Sequence, residues 1–274
     1  MTVSETFSPK IVRTTHLKEF KQAGHKFSAL TSYDSLTASI FDEAGIDVIL
    51  VGDSAANNSL GYTSTLPITL DELIVFGRAV AKSVNRALVV VDMPFGSYET
   101  GPEDALKNAI QIIKETGAAA VKLEGGVRSA KQIKAIVDAG IPVMAHIGFT
   151  PQSVNGLGGF KVQGRGDSAA DLLTDAKATE DAGAFAVVIE MAPSPVATEI
   201  SNQLEIPTIG IGAGNTTDGQ ILVWTDFAGL NGSSVPKFVK LYANLREDLL
   251  VAAKQYRTEV TQGEFPSKDH SFES

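Results

Sequence analysis

Cysteine is absent from this chain of 274 residues. The absence excludes disulfide bonds, thiolate metal sites and cysteine nucleophiles, and it is compatible with a reducing cytosol. Long hydrophobic runs are missing as well, since no apolar stretch of about 18 residues occurs that would span a bilayer. The first ten residues are polar and contain no apolar core of a signal peptide. We therefore expect no membrane association and a cytoplasmic location.

Basic clusters are also missing from the chain. Its 23 lysine and arginine residues are outnumbered by 32 acidic residues, which gives a formal net charge of −9. Nucleic acids and anionic membranes are therefore poor candidates as partners. Because 43% of the residues are hydrophobic, the chain can bury a sizeable core. These observations favour a globular protein that acts on small molecules.

Short apolar runs alternate with helical patterns along most of the chain. The runs are expected to form strands at about residues 27–32, 47–52, 87–91, 119–123, 141–146, 185–189 and 206–211, with a weaker eighth strand at 221–224. Branched residues bounded by turn signals are typical of buried parallel strands. Seven or eight βα units predict one α/β domain over residues 1–274, a single (β/α)8 TIM barrel. A doubly wound sheet is the alternative.

The two ends of the chain are expected to lie outside this repeating pattern. Residues 1–20 are predicted to form an N-terminal extension and a helix, and residues 263–274 an exposed polar tail. Between the last strand and the tail, residues 237–261 carry apolar side chains at roughly helical spacing. We therefore predict an extended C-terminal helix over 237–261.

Three of the predicted strands end in a carboxylate beside small residues or a proline, namely Asp53, Asp92 and Glu124. In barrels of alternating strands and helices, the C-terminal strand ends carry the active site. Three acids that converge there repel one another unless a cation, protons or a basic partner compensates them. Hard oxygen ligands select Mg²⁺ or a similar ion, so a metal site is the first hypothesis. The alternative is that each acid caps the following helix.

Three further residues at strand ends are candidates for chemistry. Lys122 precedes Glu124 by two residues, so the two side chains face the same side of the strand. Lys122 is then a structural ion-pair partner of an acid, a clamp for an anionic substrate, or both. Glu190 follows an apolar run, which should raise its pKa and suits a general base. The alternative is that Glu190 caps the helix at Ser194. His146 is a candidate proton shuttle or hydrogen-bond donor, or a structural histidine.

A glycine-rich segment, Gly156–Gly166, carries Lys161 and Arg165 directly after one of the predicted strands. Such a segment can be an ordinary surface loop. Because it is flexible, basic and expected at the active face, we predict that it forms a lid over an anionic ligand.

Ordered motifs occur along nearly the whole chain, at residues 31–34, 51–54, 64–67, 92–95, 121–126, 146–153, 161–166, 210–214 and 266–272. Together they resemble the motifs of the ketopantoate hydroxymethyltransferase family. The resemblance implies a Mg²⁺-dependent (β/α)8 barrel that moves a one-carbon unit from 5,10-methylenetetrahydrofolate to 3-methyl-2-oxobutanoate. The product would be 2-dehydropantoate, in pantothenate and coenzyme A biosynthesis, and the implied assembly is a homodecamer.

The resemblance also assigns roles to residues that the strand-end pattern had nominated. It implies metal binding by Asp53, Asp92 and Glu124, substrate binding by Ser54, Asp92 and Lys122, and a proton acceptor at Glu190. A rival within enzymes is a Mg²⁺-dependent oxo-acid lyase or a mutase of the phosphoenolpyruvate type, which needs no folate. A rival of another class is a non-catalytic barrel that senses an oxo acid, in which Glu190 would be dispensable.

Overall fold

A closed barrel of eight parallel strands is the core of the computed structural model, which describes residues 8–232 and 235–272. The strands are β1 Phe27–Thr31, β2 Val48–Val51, β3 Leu88–Asp92, β4 Ala120–Glu124, β5 Val143–Gly148, β6 Ala186–Glu190, β7 Thr208–Ile211 and β8 Gly219–Leu222. They follow one another around the barrel in chain order, and β8 pairs with β1. The predicted (β/α)8 barrel is confirmed, and the closed circuit excludes the open doubly wound sheet.

Helices follow most of the strands in the chain. They are α1 Thr14–Gln22, α2 Ser35–Glu43, α3 Ala55–Asn58, α4 Leu70–Ala81, α5 Pro102–Thr116, α6 Ala130–Asp138, α7 Val154–Leu157, α8 Ser168–Asp181, α9 Ser194–Gln203, α10 Trp224–Phe227 and α11 Leu245–Gln262, with short 3-10 turns at Val127–Ser129, Pro151–Ser153 and Lys268–His270. Their ends show local signals. Thr69 and Glu72 form a capping box before α4, and Gly117 ends α5 in the left-handed conformation with φ 79°.

The strand register determines which side chains become neighbours at the active end of the barrel. Asp92 lies opposite Lys122 on the next strand, and Glu124 lies opposite His146. Gly148 lies opposite Glu190 and has φ +89°, and an added Cβ there would collide with the Glu190 carbonyl oxygen. Only glycine therefore fits beside the last residue of β6.

Two predicted element boundaries are wrong. The eighth strand is Gly219–Leu222, two residues earlier than predicted, because residues 219–222 pair with β1 while Trp224 already begins α10. The last long helix begins at Leu245 instead of residue 237. Before it, the Tyr242 N–H donates to the Phe227 carbonyl and the two rings stack with centroids 5.0 Å apart. The backbone of that stretch is thus bonded to α10 rather than coiled into α11.

Contacts divide the chain into two compact units, Met1–Val223 and Trp224–Ser274. The barrel and α1 to α9 belong to the first unit, and α10 and α11 to the second. Residues 1–7 of the predicted extension and 273–274 of the predicted tail lie outside the described residues. The single-domain organisation of residues 1–274 stays a prediction. None of the helices in the described ranges is long and apolar enough to cross a membrane.

Candidate active site

One pocket at the C-terminal ends of the strands gathers most of the residues nominated from the sequence. It has a volume of about 110 Å³. Its lining includes Asp53, Ser54, Asp92, Lys122, Glu124, His146 and Glu190. Lys161 and Arg165 are exposed on their loop and do not belong to this lining. The strand-end residues therefore share one site, and the two basic residues of the glycine-rich segment do not enter it here.

A buried ion pair links two strands in this pocket. Lys122 Nζ lies 2.5 Å from Asp92 Oδ1, and both side chains are almost completely buried. Asp92 Oδ2 accepts a hydrogen bond of 2.9 Å from the Asp53 N–H. Burial raises the pKa of Asp92 to about 6 against the opposing effect of Lys122. For Lys122, burial alone would lower the pKa, but the surrounding carboxylates outweigh it and keep the ammonium charged.

Glu124 is a buried carboxylate with one engaged and one free oxygen. Its Oε2 accepts a hydrogen bond of 3.0 Å from the Gln152 N–H. Its Oε1 is buried and has no hydrogen-bond partner among the described residues. Burial and the nearby Asp53 charge raise the pKa of Glu124 well above its ordinary value. A buried carboxylate oxygen without a donor is costly, and a bound cation would remove that cost.

His146 on β5 and Glu190 on β6 continue the pocket lining beyond Glu124 on β4. His146 Nε2 lies 3.2 Å from Glu190 Oε2, and His146 Nδ1 lies 3.6 Å from Glu124 Oε1. Burial raises the pKa of Glu190 to about 8, as its apolar strand predicts. Burial and the charge of Lys122 lower the pKa of His146 well below its ordinary value, so the imidazole is neutral. Met191, directly after Glu190, has φ 48°, a strained backbone typical of functional sites.

The capping alternative fails for all four strand-end acids. Within the described ranges, the N-cap residues of α3, α5, α9 and the 3-10 turn that opens at Val127 make no side-chain capping bond, and the Val127 N–H donates to Asp175 instead of Glu124. All four acidic residues line the pocket instead, and Asp92 Oδ2 accepts a hydrogen bond from the Asp53 N–H on the neighbouring strand end. Their placement at strand ends is therefore not explained by helix termination.

Two residues that sequence reasoning had given no role also contact the site. The Tyr33 hydroxyl lies 2.7 Å from Ser54 Oγ and accepts a hydrogen bond from Thr31 Oγ1 at 3.1 Å, which fixes the Ser54 side chain beside Asp53. The Gln152 side chain donates to Asp53 Oδ2 at 3.0 Å. Both residues follow strand ends and lie within the motifs at residues 31–34 and 146–153, but neither signal indicates which side chains they contact.

The acids of the pocket fit a divalent cation in chemistry and charge. Ionised Asp53, Asp92 and Glu124 together with one ammonium group leave two negative charges, and the donor atoms of these carboxylates are hard oxygens. In the part of the chain that the structure describes, no three histidine or acidic side chains are already gathered as a metal cage. Two oxygens that such a cage would use are already engaged, since Lys122 contacts Asp92 Oδ1 and the Gln152 side chain donates to Asp53 Oδ2.

The glycine-rich segment Gly156–Gly166 lies over the ends of β5 and β6. Phe160 packs on Phe149 with ring centroids 4.8 Å apart, and the Gln163 N–H donates to the Met191 carbonyl at 2.9 Å. Phe160 is nevertheless 77% exposed. The segment is thus fastened at two points beside the residue that follows Glu190.

We predict that this segment becomes more protected when the two substrates implied by the family resemblance, an oxo acid and a folate, bind. Its amides should exchange with deuterated water quickly without ligands, because few of them are hydrogen-bonded, and more slowly with the oxo acid and the folate present. Hydrogen-exchange mass spectrometry of peptides over 156–166 measures this change, with peptides of α6 as the internal control. Equal exchange in both states would remove the lid role.

Comparison with known proteins gives a consistent result over nearly the whole chain. The family model for ketopantoate hydroxymethyltransferase matches residues 11–268. A protein of Leifsonia xyli subsp. xyli named 3-methyl-2-oxobutanoate hydroxymethyltransferase is 62% identical over 265 residues, covering 97% of this chain and 96% of that protein. A protein of the same name from Corynebacterium efficiens is 59% identical over 263 residues, covering 96% of this chain and 98% of that protein.

Solved structures with the same fold are more distant. Phosphonopyruvate hydrolase, solved in complex with oxalate and Mg²⁺, has a TM-score of 0.61 at 14% identity, with 95% of this chain and 93% of that chain covered. The structure of 2,3-dimethylmalate lyase, a PEP mutase/isocitrate lyase superfamily member, has a TM-score of 0.59 at 16% identity, with 96% of this chain and 92% of that chain covered. At such identities the likeness shows the fold alone. The family match and the close relatives show more: this chain belongs to the ketopantoate hydroxymethyltransferase family.

Proposed function

We propose that this chain is a hydroxymethyltransferase that converts 3-methyl-2-oxobutanoate to 2-dehydropantoate with 5,10-methylenetetrahydrofolate as the one-carbon donor. The observation that carries the proposal is the pairing of family membership with a pocket in which Glu190, a carboxylate of raised pKa, faces three strand-end acids and a charged lysine. The reaction breaks the C–H bond at C3 of the oxo acid and forms a C–C bond from C3 to the methylene carbon of the folate. The two C–N bonds of that carbon break, water supplies the hydroxyl oxygen, and tetrahydrofolate is released.

Asp53, Asp92 and Glu124 would hold a Mg²⁺ ion in this pocket. Bound there, the ion would polarise the keto oxygen of the oxo acid and thereby acidify the adjacent C–H bond. Because Lys122 already engages one oxygen of Asp92, we assign the direct contacts first to Asp53 and Glu124. Mg²⁺ commonly takes only one or two protein carboxylates, and Asp92 would then act through water or through Lys122.

Glu190 is the residue placed to remove the C3 proton. Its side chain is 15% exposed, so it opens into the pocket while its apolar strand raises its affinity for a proton. A base whose pKa lies near the working pH is the most effective. Neutral His146, whose Nε2 lies 3.2 Å from Glu190 Oε2, is assigned to pass the proton onward.

Lys122 and Ser54 are assigned to the substrate carboxylate. Lys122 stays protonated in the pocket and offers positive charge, and the Ser54 hydroxyl is fixed by Tyr33. Holding the oxo acid in one plane presents its C3–H bond to Glu190, which is an orientation effect. The predicted homodecamer and cytoplasmic location stay predictions.

The rate of proton removal should rise with pH. Glu190 acts only when it is deprotonated, and burial raises its pKa to about 8, so the active fraction grows as the pH increases through that value. A bound cation adds positive charge and moves the midpoint lower. Exchange of the C3 proton with deuterated water, followed by NMR at saturating Mg²⁺, measures the profile. A rate that falls as the pH rises toward 8 would contradict the assignment.

The function is tested by following the product directly. Purified protein is incubated with the oxo acid, with and without the folate donor and with Mg²⁺ or a chelator, and 2-dehydropantoate is detected by mass spectrometry. We expect product only when the folate donor and Mg²⁺ are both present. Turnover of an oxo acid that needs no folate would instead identify a lyase or mutase of the type that shares this fold.

A further inference from the structure

We propose that Gln152, held by Tyr98, is a positioning residue that orients the carboxylates of Asp53 and Glu124 toward a divalent cation. The inference rests on the proposed metal site and names the residues that arrange its ligands. Gln152 is the middle residue of the 3-10 turn Pro151–Ser153, which follows β5, and it is only 5% exposed.

Gln152 contacts two of the acids through two different donors. Its backbone N–H donates to Glu124 Oε2 at 3.0 Å. Its side-chain Nε2 donates to Asp53 Oδ2 at 3.0 Å and to the Met93 carbonyl at 3.1 Å. Carboxylates that bind metals are commonly held by such outer hydrogen bonds. One residue of a loop thus ties together acids that stand at the ends of β2 and β4.

Tyr98 fixes the orientation of the Gln152 amide. Its hydroxyl donates to Gln152 Oε1 at 2.6 Å and accepts the Glu124 N–H at 3.3 Å. The ring is buried, and burial together with Glu124 raises the pKa of Tyr98, so the hydroxyl keeps its proton. With the amide reversed, its oxygen would face the carboxylate of Asp53 and the carbonyl of Met93, which are both acceptors. The amide nitrogen is therefore directed at Asp53.

An uncharged donor has a specific consequence for cation binding. Lys122 neutralises the carboxylate that it contacts, whereas Gln152 fixes Asp53 and Glu124 and leaves their negative charge for a cation. On Glu124, Oε2 is engaged by Gln152 while Oε1 stays buried without a partner. The Gln152 backbone N–H thus determines which oxygen of Glu124 is free to bind, while the side-chain amide holds Asp53.

Mn²⁺ is a suitable probe for this role, because the free ion is measured directly by electron paramagnetic resonance. In the full-length protein, Gln152→Met keeps the volume but removes the amide, and we expect it to weaken Mn²⁺ binding about 10- to 100-fold, the usual effect of losing such a contact. Saturating Mg²⁺ should restore most of kcat. A merely structural role would lower the melting temperature and leave the Mn²⁺ affinity unchanged.

Gln132→Met is the matched control. Gln132 Nε2 donates to the Tyr98 carbonyl at 3.3 Å and contacts neither acid, so this variant should bind Mn²⁺ within about twofold of the wild type. Tyr98→Phe removes only the hydroxyl and should weaken binding about two- to tenfold, so it tests the network if Gln152→Met fails to fold.

The outcomes separate this inference from the proposed function. Wild-type protein that binds no Mn²⁺ would remove the metal site itself, and this inference with it. Wild-type protein that binds Mn²⁺ while Gln152→Met and Tyr98→Phe bind it equally well would overturn only the positioning role. Equal weakening by Gln132→Met would also overturn it, because the loss would then not depend on contact with the acids.

Discussion

Replacing Glu190 by glutamine is expected to slow C3 proton removal by about two to four orders of magnitude, the scale of losing a general base. Glutamine has nearly the same size, but it cannot accept the proton. Binding of the oxo acid should be retained, because the proposed contacts to its carboxylate come from Lys122 and Ser54. Exchange of the C3 proton with deuterated water, without folate, isolates this step from one-carbon transfer.

The matched control is Glu199→Gln, which makes the same change on the exposed face of α9. It should leave exchange unchanged. Exchange at the wild-type rate in Glu190→Gln would show that another group is the base. His146, 3.2 Å from Glu190, would then be the first to test.

Asp53→Ala should lower Mg²⁺-dependent turnover by at least about a hundredfold, since loss of several kcal/mol of charge stabilisation costs a factor of ten for each 1.36 kcal/mol. The fold should survive, because no cation among the described residues forms an ion pair with Asp53 and the loss of this acid relieves repulsion among the others. Activity is measured across a Mg²⁺ titration. Normal activity at limiting Mg²⁺ would show that Asp53 is not a ligand.

Asp92→Ala should abolish Mg²⁺-dependent turnover, and unlike Asp53→Ala it should also lower the stability of the fold. It leaves Lys122 buried without its ion-pair partner, a change that typically costs about 3–5 kcal/mol of stability. Thermal unfolding should therefore separate the two variants, with Asp92→Ala melting well below Asp53→Ala. Asp138→Ala, which removes an exposed acid paired with Lys134, is the control and should leave both activity and melting unchanged.

The barrel could be predicted from the sequence because its signals are local. Most of the strands are short runs rich in branched residues and bounded by turn residues, and the strand circuit follows chain order. The start of α11 could not be predicted in this way. Residues 237–244 carry apolar side chains at helical spacing, but their backbone is bonded to α10, a pairing that no periodicity reveals.

The same distinction applies to the site. Lys122 and Glu124 share the pocket because side chains two residues apart on a strand face the same way, which the sequence alone implies. Gln152 is uncharged and lies in a turn, and its contacts with Asp53 and Glu124 span 99 and 28 residues. Nothing in its own segment indicates those contacts. The roles assigned to the site residues stay predictions until they are measured.

The most direct measurement of the central claim follows two labels through one turnover. The oxo acid carries deuterium at C3, and the folate donor carries ¹³C in its methylene group. If the C3 deuteron is removed and the one-carbon unit is joined there, the 2-dehydropantoate formed in the presence of Mg²⁺ contains one ¹³C and no deuterium. Product that retains deuterium, or that lacks ¹³C, would contradict the account.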